Sequence, residues 1–171
     1  MSRRIALGGI LTALCVLLNY VAAFMPSGKL GIYALSSLAI AASIVELDIK
    51  GATTVYAASA ILIFLLSGNI NTLLLFTLFF GIYPIVKYHA EKQRRASMEM
   101  LIKYIGFNVL AVLGFFVYWM IFGISPVSLN ILSPWVIAGA ILGAEVVFLI
   151  YDYVLSRLIH YYVNRIKTGL K

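Results

Sequence analysis

The sequence predicts an all-α integral membrane protein that crosses the bilayer six times, and two observations lead to this prediction. Of the 171 residues, 63% are hydrophobic and only 11% are charged, whereas a soluble domain carries about 25% charged residues. Lipid must therefore cover much of the surface. The apolar residues also fall into six runs, each close to the roughly 20 residues that a helix needs to span a membrane.

The six runs are separated by short segments rich in glycine, proline, serine and asparagine, which end helices. Each run is expected to be a helix, because backbone groups in hydrocarbon need partners within their own segment. The runs cover residues 5–24, 30–47, 51–66, 70–88, 101–123 and 134–159. Together with their connections they use the whole chain, so residues 1–171 are expected to form one transmembrane domain.

Three connections have expected shapes. The polar stretch Glu46–Gly51 is expected to form the loop between the second and third helices. Pro84 is expected to kink or end the fourth helix, because proline lacks the amide hydrogen that a helix interior requires. Pro134 is expected to begin the sixth helix.

The Lys and Arg residues predict that both ends of the chain lie in the cytoplasm of a cell. With the N-terminus inside, Lys29 is the only one of the 13 positively charged residues on the outer side. Such an excess is typical of cytoplasmic loops and predicts insertion in the cell membrane. The net charge of +7 is thereby assigned to topology and to contact with anionic lipid, not to nucleic acid. The charges are expected to lie in loops and tails.

No motif for a known catalytic or metal-binding chemistry is present. The sequence lacks a Gly-x-x-x-x-Gly-Lys-Ser/Thr loop and a His-Glu-x-x-His pair. His89 and His160 have no cysteine or carboxylate at metal-ligand spacing. The single cysteine, Cys15, excludes an internal disulfide and is expected to act as a small hydrophobic residue. We therefore expect no enzymatic activity, no cofactor and no metal.

Glu145 is the most informative single residue, because it lies about 16 Å into the sixth run, near the middle of the bilayer. A carboxylate at that depth is costly unless it is paired, protonated or hydrated. Two interpretations remain open: a ligand contact or proton-sensitive site, and a structural hydrogen bond to Asn108 or Asn19. Asp152 lies on the same face and is expected at the cytoplasmic boundary beside Arg157.

A second group of polar and aromatic residues gathers on the outer side. Tyrosine and tryptophan at a membrane boundary usually form an aromatic belt. The alternative is the mouth of a pocket, in which rings stack on a flat solute and asparagine side chains orient it. The members of the group are Lys29, Tyr33, Asn69, Asn71, Tyr118, Trp119, Asn130 and Trp135.

Small residues at a spacing of four form a third group. Such residues let helix backbones approach closely, either inside one chain or at the surface of a partner. Both interpretations remain open. The pairs are Gly9 and Ala13 in the first run, and Gly139 with Gly143 and Ala140 with Ala144 in the sixth.

The stretch Arg3–Leu14, with the sequence RRIALGGILTAL, is similar to the start of the S components of energy-coupling-factor (ECF) transporters. The resemblance implies a six-helix protein with both ends inside, which binds a vitamin or metal ion in an outward-facing pocket. It also implies partners: a transmembrane coupling subunit and two cytoplasmic ATPases. Gly9 and Ala13 match the positions that mediate docking in this family. The chain lacks the His-rich start of metal-binding members, so a vitamin-like solute is expected.

In this family the solute site uses the outer loops and the outer halves of the later helices. The resemblance therefore implies a set of solute contacts in this chain: Lys29, Asn71, Trp119, Asn130, Trp135 and Glu145.

Three functions follow from these observations. A solute-binding transporter subunit requires a pocket on the outer side, lined by polar residues. A structural or assembly protein requires no pocket and a Glu145 that is bound to a neighbouring helix. A membrane enzyme requires a second buried polar group beside Glu145 in a water-filled cavity. The first is the expected function.

Overall fold

The computed structural model describes residues 2–93, 95–123 and 134–167. Every regular element in these ranges is helical, which confirms the all-α class. Two π-helical segments, Phe76–Phe80 and Tyr162–Lys167, precede α4 and follow α6. The α-helices are α1 (Ser2–Phe24), α2 (Lys29–Ser67), α3 (Ile70–Leu75), α4 (Tyr83–Glu91), α5 (Ala96–Phe122) and α6 (Pro134–Tyr161).

Five helical segments in the described part of the chain are long and apolar enough to cross a membrane. They are Ser2–Phe24, Lys29–Ser67, Ile70–Glu91, Ser97–Phe122 and Trp135–Asn164. Their lengths and composition are those of a helical membrane protein. The fourth segment lies within α5, and the fifth contains most of α6. Both expose many large apolar side chains, as surfaces in contact with lipid do.

Helix α2 is two helices folded against each other, not one straight rod. A straight helix of its 39 residues would be about 58 Å long. Yet the hydroxyl groups of Tyr33, near its start, and Thr72, just beyond its end, are hydrogen-bonded at 3.0 Å. The chain therefore reverses direction within α2. Residues 29–47 and 49–67 run antiparallel, and each half is roughly 28 Å long.

The reversal takes place at a single residue, Asp48. Its φ of 69° and ψ of 174° lie in a backbone region that is essentially restricted to glycine and costs other residues about 1–3 kcal/mol. Gly51 completes the corner, because a Cβ atom on it would lie 2.5 Å from the Cβ atom of Leu47. The expected loop over Glu46–Gly51 is therefore wrong: the backbone is helical on both sides of Asp48.

The fourth apolar run is interrupted where the π-helical segment reaches Gly81. The Gly81 amide donates to the Phe76 carbonyl at 2.6 Å, although the usual α-helical acceptor would be Thr77. The Thr77 carbonyl accepts a hydrogen bond of 2.9 Å from the Tyr56 hydroxyl instead. A Cβ atom on Gly81 would lie 2.7 Å from the Tyr56 ring, so glycine is required for this contact.

Two prolines lie at helix starts. Pro84 occupies the first turn of α4, where proline is favoured because the missing amide would have no helical partner. The expected break is confirmed, although it precedes Pro84 and α4 continues to Glu91. The prediction that α6 begins at Pro134 is also confirmed.

The main core lies where α1 packs against both halves of α2. Cys15 is fully buried there, which agrees with its expected role as a small hydrophobic residue. Asn19, one turn further along α1 and also buried, donates to the Cys15 carbonyl at 2.9 Å. The buried apolar cluster consists of Cys15, Val16, Ala39, Ile40, Leu47, Val55, Ile63 and Phe76.

Gly8 and Thr12 bring α1 close to α2. Thr12 is buried, and a Cβ atom on Gly8 would lie 3.5 Å from the Leu47 side chain. Gly9 and Ala13 lie one position further round the helix and are exposed. A Cβ atom on Gly9 would meet no atom within 4 Å. Helix α1 therefore packs through the neighbouring face and leaves Gly9 and Ala13 uncovered.

Aromatic rings join α4, α5 and α6. Phe107 of α5 and Phe148 of α6 stack with ring centroids 4.2 Å apart. The Tyr83 ring of α4 meets the Phe148 ring edge-on at 5.3 Å. Gly106 allows α5 to approach α4, because a Cβ atom there would lie 2.9 Å from the Val86 side chain. This packing positions the site described next.

Candidate functional site

An apolar cavity of about 420 Å³ lies between the first half of α2 and α6, with the π-helical segment Phe76–Phe80 and α5 behind it. Aliphatic side chains, alanine and one glycine provide part of its lining. The rest is aromatic: Phe79, Phe80, Tyr83, Phe107, Phe148 and Tyr151.

The aromatic walls of the cavity are held in place by contacts among the rings. Phe80 meets Tyr151 edge-on at 5.5 Å, and the Phe107–Phe148 stack forms the α5 side. Tyr83 and Phe148 are almost completely buried, at 2% and 4% exposure. Such contacts stabilise aromatic pairs beyond the burial of their surface. The cavity is therefore preformed.

Two tyrosines belong to this lining, and the bonding of their hydroxyl groups differs. Tyr83 donates to Asp152 at 2.7 Å. The Tyr151 hydroxyl is buried and has no hydrogen-bond partner among the described residues. The nearby Ser37 hydroxyl donates to the Ala34 carbonyl at 2.6 Å. The Tyr151 hydroxyl therefore lies beside Ser37 and is closed off from the cavity, although the Tyr151 ring forms part of the wall.

Beside the cavity, five charged side chains join α4, α5 and α6. We call this set the charge network, and it consists of Lys87, Glu91, Glu99, Lys103 and Asp152. Its two ammonium groups and three carboxylates give it a formal charge of −1. Buried charges in a protein are tolerated when they are paired and hydrogen-bonded.

Lys87 is the centre of the charge network. Its side chain is 1% exposed, and its ammonium group binds the Asp152 carboxylate directly. It also lies 2.9 Å from Glu91 and donates to the Ser156 hydroxyl at 2.7 Å. Lys87 therefore ties α4 to α6 through Asp152 and Ser156.

Lys103 brings α5 into the same network. Its side chain is 9% exposed and lies 2.7 Å from Glu99. Glu91 and Asp152 each approach it at 3.3 Å. Asp152 thus accepts from both lysines and from Tyr83, whose ring lines the cavity. Through Tyr83 the network is in direct contact with the cavity wall.

The expectation that all positive charges lie in loops and tails is wrong for Lys87 and Lys103. Both are buried, because carboxylates from three helices converge on them. Asp152 pairs with the two lysines and not with Arg157, whereas its expected place at the cytoplasmic boundary stays a prediction. Arg157 instead donates to the Tyr153 hydroxyl at 3.1 Å.

Part of the charge network has a signal in the sequence. Lys87 and Glu91, and likewise Glu99 and Lys103, are opposite charges four residues apart, which face each other on a helix. The two pairs flank one short connection, so they are close in space. The contribution of Asp152 has no such signal, because 65 residues separate it from Lys87.

Glu145 is bound to the neighbouring helix. Its Oε1 accepts a hydrogen bond of 2.9 Å from the Asn108 side-chain amide, and the same amide donates to the Tyr104 carbonyl at 3.0 Å. The hydrogen bond to Asn108 is confirmed, whereas Glu145 Oε2 is buried and has no hydrogen-bond partner among the described residues, so the interpretation as a ligand contact stays a prediction. The pair links α5 and α6 beside the Phe107–Phe148 stack, and neither residue is among those that line the apolar cavity.

Removing this bond is expected to have a modest effect on stability. Glu145→Leu and Asn108→Leu, combined in a double-mutant cycle, should give a coupling energy of about 0.6–1.7 kcal/mol, as for other hydrogen bonds between membrane helices. Glu145→Gln keeps an acceptor oxygen and should unfold within about 1 kcal/mol of the natural protein. Reversible unfolding in mixed micelles measures both. A coupling near zero would mean that the two helices are held by other contacts.

The predicted solute contacts lie at separate places, and none of the five that are described lines the apolar cavity, so this cavity is not the expected polar-lined pocket. Asn71 lines a hollow of about 290 Å³ between α3 and α5, together with Tyr118. Trp119 and Trp135 are 37% and 85% exposed, as an aromatic belt requires. Lys29 begins α2 and is half-buried. Asn130 lies outside the described residues.

Tyr33, assigned to the outer aromatic group, belongs to the core instead. It is 2% exposed, and its ring stacks on that of Phe80 at 5.5 Å. Its hydroxyl is satisfied by Thr72. Sequence alone could not separate it from the boundary residues, because burial depends on the reversal of α2.

Gly139 and Gly143 of α6 do not pack closely against another described helix. A Cβ atom on either would meet no atom within 4 Å, so internal packing among the described residues is not the role of that pair. Ala144 lines the apolar cavity. Gly9 lines an open groove of about 620 Å³ between α1 and the second half of α2, with Arg4 and Lys50 at its charged end.

Comparison with known proteins provides no relative for this site. No family model, characterised protein or solved structure matches the chain. The assignment of a function therefore depends on the apolar cavity, the charge network and the arrangement of the helices.

Proposed function

We propose that this chain is a membrane-embedded, non-catalytic binding subunit for a small molecule, with a role in transport. The observation that carries the proposal is the preformed cavity of about 420 Å³, which lies within the usual range of ligand pockets, about 300–1,000 Å³. The resemblance of Arg3–Leu14 to the start of ECF S components supports the same class. In that class, the subunit would pass its solute to a coupling subunit driven by two cytoplasmic ATPases.

The proposed arrangement crosses the cell membrane six times, with both ends in the cytoplasm. The reversal of α2 supports six crossings, because each half is about as long as the hydrocarbon core is thick, roughly 30 Å. Arg4 and Asp48 lie 3.3 Å apart, so the start of α1 and the corner of α2 are on the same side. Lys50 follows that corner, and positive charge favours the cytoplasmic side.

The apolar cavity is a better solute site than the groove beside α1. Both hollows have exposed edges and a buried floor, but the groove lacks aromatic walls, whereas six aromatic rings line the cavity. Deep, aromatic-lined concavities bury most of a ligand's surface. We therefore place the solute in the cavity. The groove, which Gly9 lines, and the adjacent Ala13 are then available for contact with a partner helix.

The test fills the cavity without disturbing the fold. Gly31 lines the cavity, and a Cβ atom on it would meet no atom within 4 Å. Leucine is also about 1 kcal/mol better than glycine inside a helix, so Gly31→Leu should fold. The matched control is Gly139→Leu, because Gly139 has the same free space and is not among the residues that line the cavity.

Native mass spectrometry of gently purified protein measures the outcome. The natural protein and Gly139→Leu should retain a small molecule after release from the membrane. Gly31→Leu should retain at least about tenfold less, which corresponds to 1.4 kcal/mol of binding free energy. Equal retention by Gly31→Leu would contradict the proposed site. An empty natural protein that co-purifies with membrane proteins instead would contradict the binding function.

A structural or assembly role is the second candidate, and a specific observation favours it. Glu145 is bound to Asn108, as that role requires, and Gly139 and Gly143 leave part of α6 open to a partner helix. Under this function, Gly139→Leu should disrupt a membrane complex while Gly31→Leu does not. The same two variants therefore separate the two candidates.

A further inference from the structure

We infer that the groove beside α1 binds one phospholipid with an anionic headgroup: the phosphate lies beside Arg4 and Lys50, and one acyl chain lies along the groove. The inference goes beyond the proposed function, which assigns no lipid to this chain. Three features of the groove lead to it: the charge at one end, the distance over which the groove extends, and the free space along α1.

One end of the groove carries a surplus of positive charge. Arg4 and Lys50 line it together with a single carboxylate, that of Asp48, so the lining has a formal charge of +1. Arg4 lies 3.3 Å from Asp48, whereas no carboxylate of the described residues forms an ion pair with Lys50. All three side chains are exposed. A phosphodiester has one negative charge and accepts hydrogen bonds from both kinds of cation, so it complements this end.

The charged end lies at the depth of a lipid headgroup. Arg4 is in the first turn of α1, at the start of a segment that is long and apolar enough to cross a membrane. Long basic side chains at such a position reach the interface with water. In the proposed orientation this end meets the cytoplasmic leaflet, which carries anionic lipid.

The groove is about as long as one leaflet is thick. From the charged end its lining follows α1 to Thr12 and the second half of α2 to Ala58, a rise of about 12–15 Å. One leaflet contributes about 15 Å to the hydrocarbon core, half of its thickness of roughly 30 Å. A lipid of that leaflet therefore matches the groove from end to end, whereas a partner helix would continue through both leaflets.

Beyond the charged end the groove is open and needs no polar partner. A Cβ atom on Gly9 would meet no atom within 4 Å. The hydroxyl groups of Thr12 and Thr54 donate to carbonyls one turn back in their own helices, at 2.8 and 3.0 Å. An acyl chain can therefore lie here without leaving a donor unpaired. Because the chain exchanges one apolar surface for another, the headgroup decides which lipid binds.

The test counts the lipids bound to the full-length protein by native mass spectrometry, in titrations with phosphatidylglycerol, which is anionic, and with zwitterionic phosphatidylcholine of the same acyl chains. Arg4→Gln and Lys50→Gln each remove one cation of the groove. Arg3→Gln is the matched control, because Arg3 is exposed at the same end of α1 and is not among the residues that line the groove. Gly9→Leu fills the groove, and Gly139→Leu controls for an added leucine.

The expected result is one phosphatidylglycerol per chain, bound at least about tenfold tighter than phosphatidylcholine because two cations contact its phosphate. Arg4→Gln and Lys50→Gln should each weaken it about fivefold, the effect of one positive charge near a membrane surface. Arg3→Gln should weaken it less than about twofold, because salt screens a charge outside the groove. Gly9→Leu should abolish the adduct, since its side chain occupies the path of the acyl chain, and Gly139→Leu should not.

Equal losses in Arg3→Gln and Arg4→Gln would mean a diffuse attraction to the membrane surface and would overturn the site. Equal binding of the two lipids would overturn the phosphate contact, and unchanged binding in Gly9→Leu would overturn the position of the chain. A membrane protein that is retained instead of lipid, and that Gly9→Leu releases, would make the groove a docking surface for a helix. Retention of a solute by the Gly31→Leu variant is a separate measurement, so a failure of the proposed function is distinguishable from a failure of this inference.

Discussion

Lys87→Met is expected to lower the free energy of unfolding by about 3–5 kcal/mol, the usual effect of removing one member of a buried ion pair. Lys87 is 1% exposed and contacts both Asp152 and Glu91. Methionine has a similar length and fills the space, so the lost interaction is electrostatic. The formal charge of the network changes from −1 to −2, with three carboxylates facing Lys103 alone.

A second substitution should recover much of this loss. Asp152→Asn in the Lys87→Met background returns the network to a formal charge of −1 and keeps the side chain's size. Replacing both members of a buried ion pair is often close to neutral. The double variant is therefore expected to be more stable than Lys87→Met alone, although it carries one more change.

The measurement is unfolding in mixed micelles, followed by circular dichroism. Lys92→Met is the matched control, because Lys92 is exposed and its ammonium group lies 5.7 Å from the centre of the Tyr88 ring. It should change stability by less than about 0.5 kcal/mol. If Lys87→Met behaved like Lys92→Met, Lys87 would be hydrated and the three-helix network would not hold α4 to α6.

The charge network also gives a physical reason for the shape of the apolar cavity. Asp152 fixes the Tyr83 hydroxyl, and the Tyr83 ring forms part of the cavity wall. Loss of the network should therefore loosen one wall as well as destabilise the protein.

The helices could be predicted from the sequence because each requires only a continuous apolar run. The first run was expected over residues 5–24, and α1 covers Ser2–Phe24. Pro134 marks the start of α6 for a local steric reason. These features depend on neighbouring residues alone, so the amino-acid pattern contains them.

The site could not be predicted, because its residues are distant in sequence. The cavity lining extends from Leu30 to Val154, and no local pattern reports which helices meet there. Asp152 appeared to belong with nearby Arg157, since nothing in the sequence points to partners on α4 and α5. Glu145 with Asn108 was an exception, because a buried carboxylate requires a hydrogen-bond donor and few candidates exist at that depth.

The corner of α2 is a case in which composition gave the right place and the wrong shape. Polar residues over Glu46–Gly51 correctly marked the reversal, but polarity does not distinguish a six-residue loop from a one-residue turn. The difference lies in the backbone angles of Asp48 and in the space available at Gly51. Both properties can be tested by substitution.

Gly51→Ala is expected to lower the free energy of unfolding by about 3 kcal/mol, the upper end of the usual effect of overpacking. The added Cβ atom would lie 2.5 Å from the Cβ atom of Leu47, and neither atom can turn away because both are fixed to the backbone. For a protein of this size the loss corresponds to a Tm about 6–12 °C lower. Gly143→Ala is the matched control, since a Cβ atom on Gly143 meets no atom within 4 Å.

Asp48→Gly should have the opposite sign. Glycine adopts a φ of 69° without strain, so the substitution should relieve the about 1–3 kcal/mol that other residues lose in this conformation. About 1 kcal/mol of that gain is lost again, because glycine has greater freedom in the unfolded chain. The lost Arg4–Asp48 pair is exposed on both sides, at 68% and 73%, and contributes little. A flexible loop over Glu46–Gly51 would tolerate both substitutions with no change in Tm. Opposite shifts at two positions three residues apart are expected only if the chain reverses at Asp48 itself, the geometry on which the proposed two membrane crossings by α2 depend.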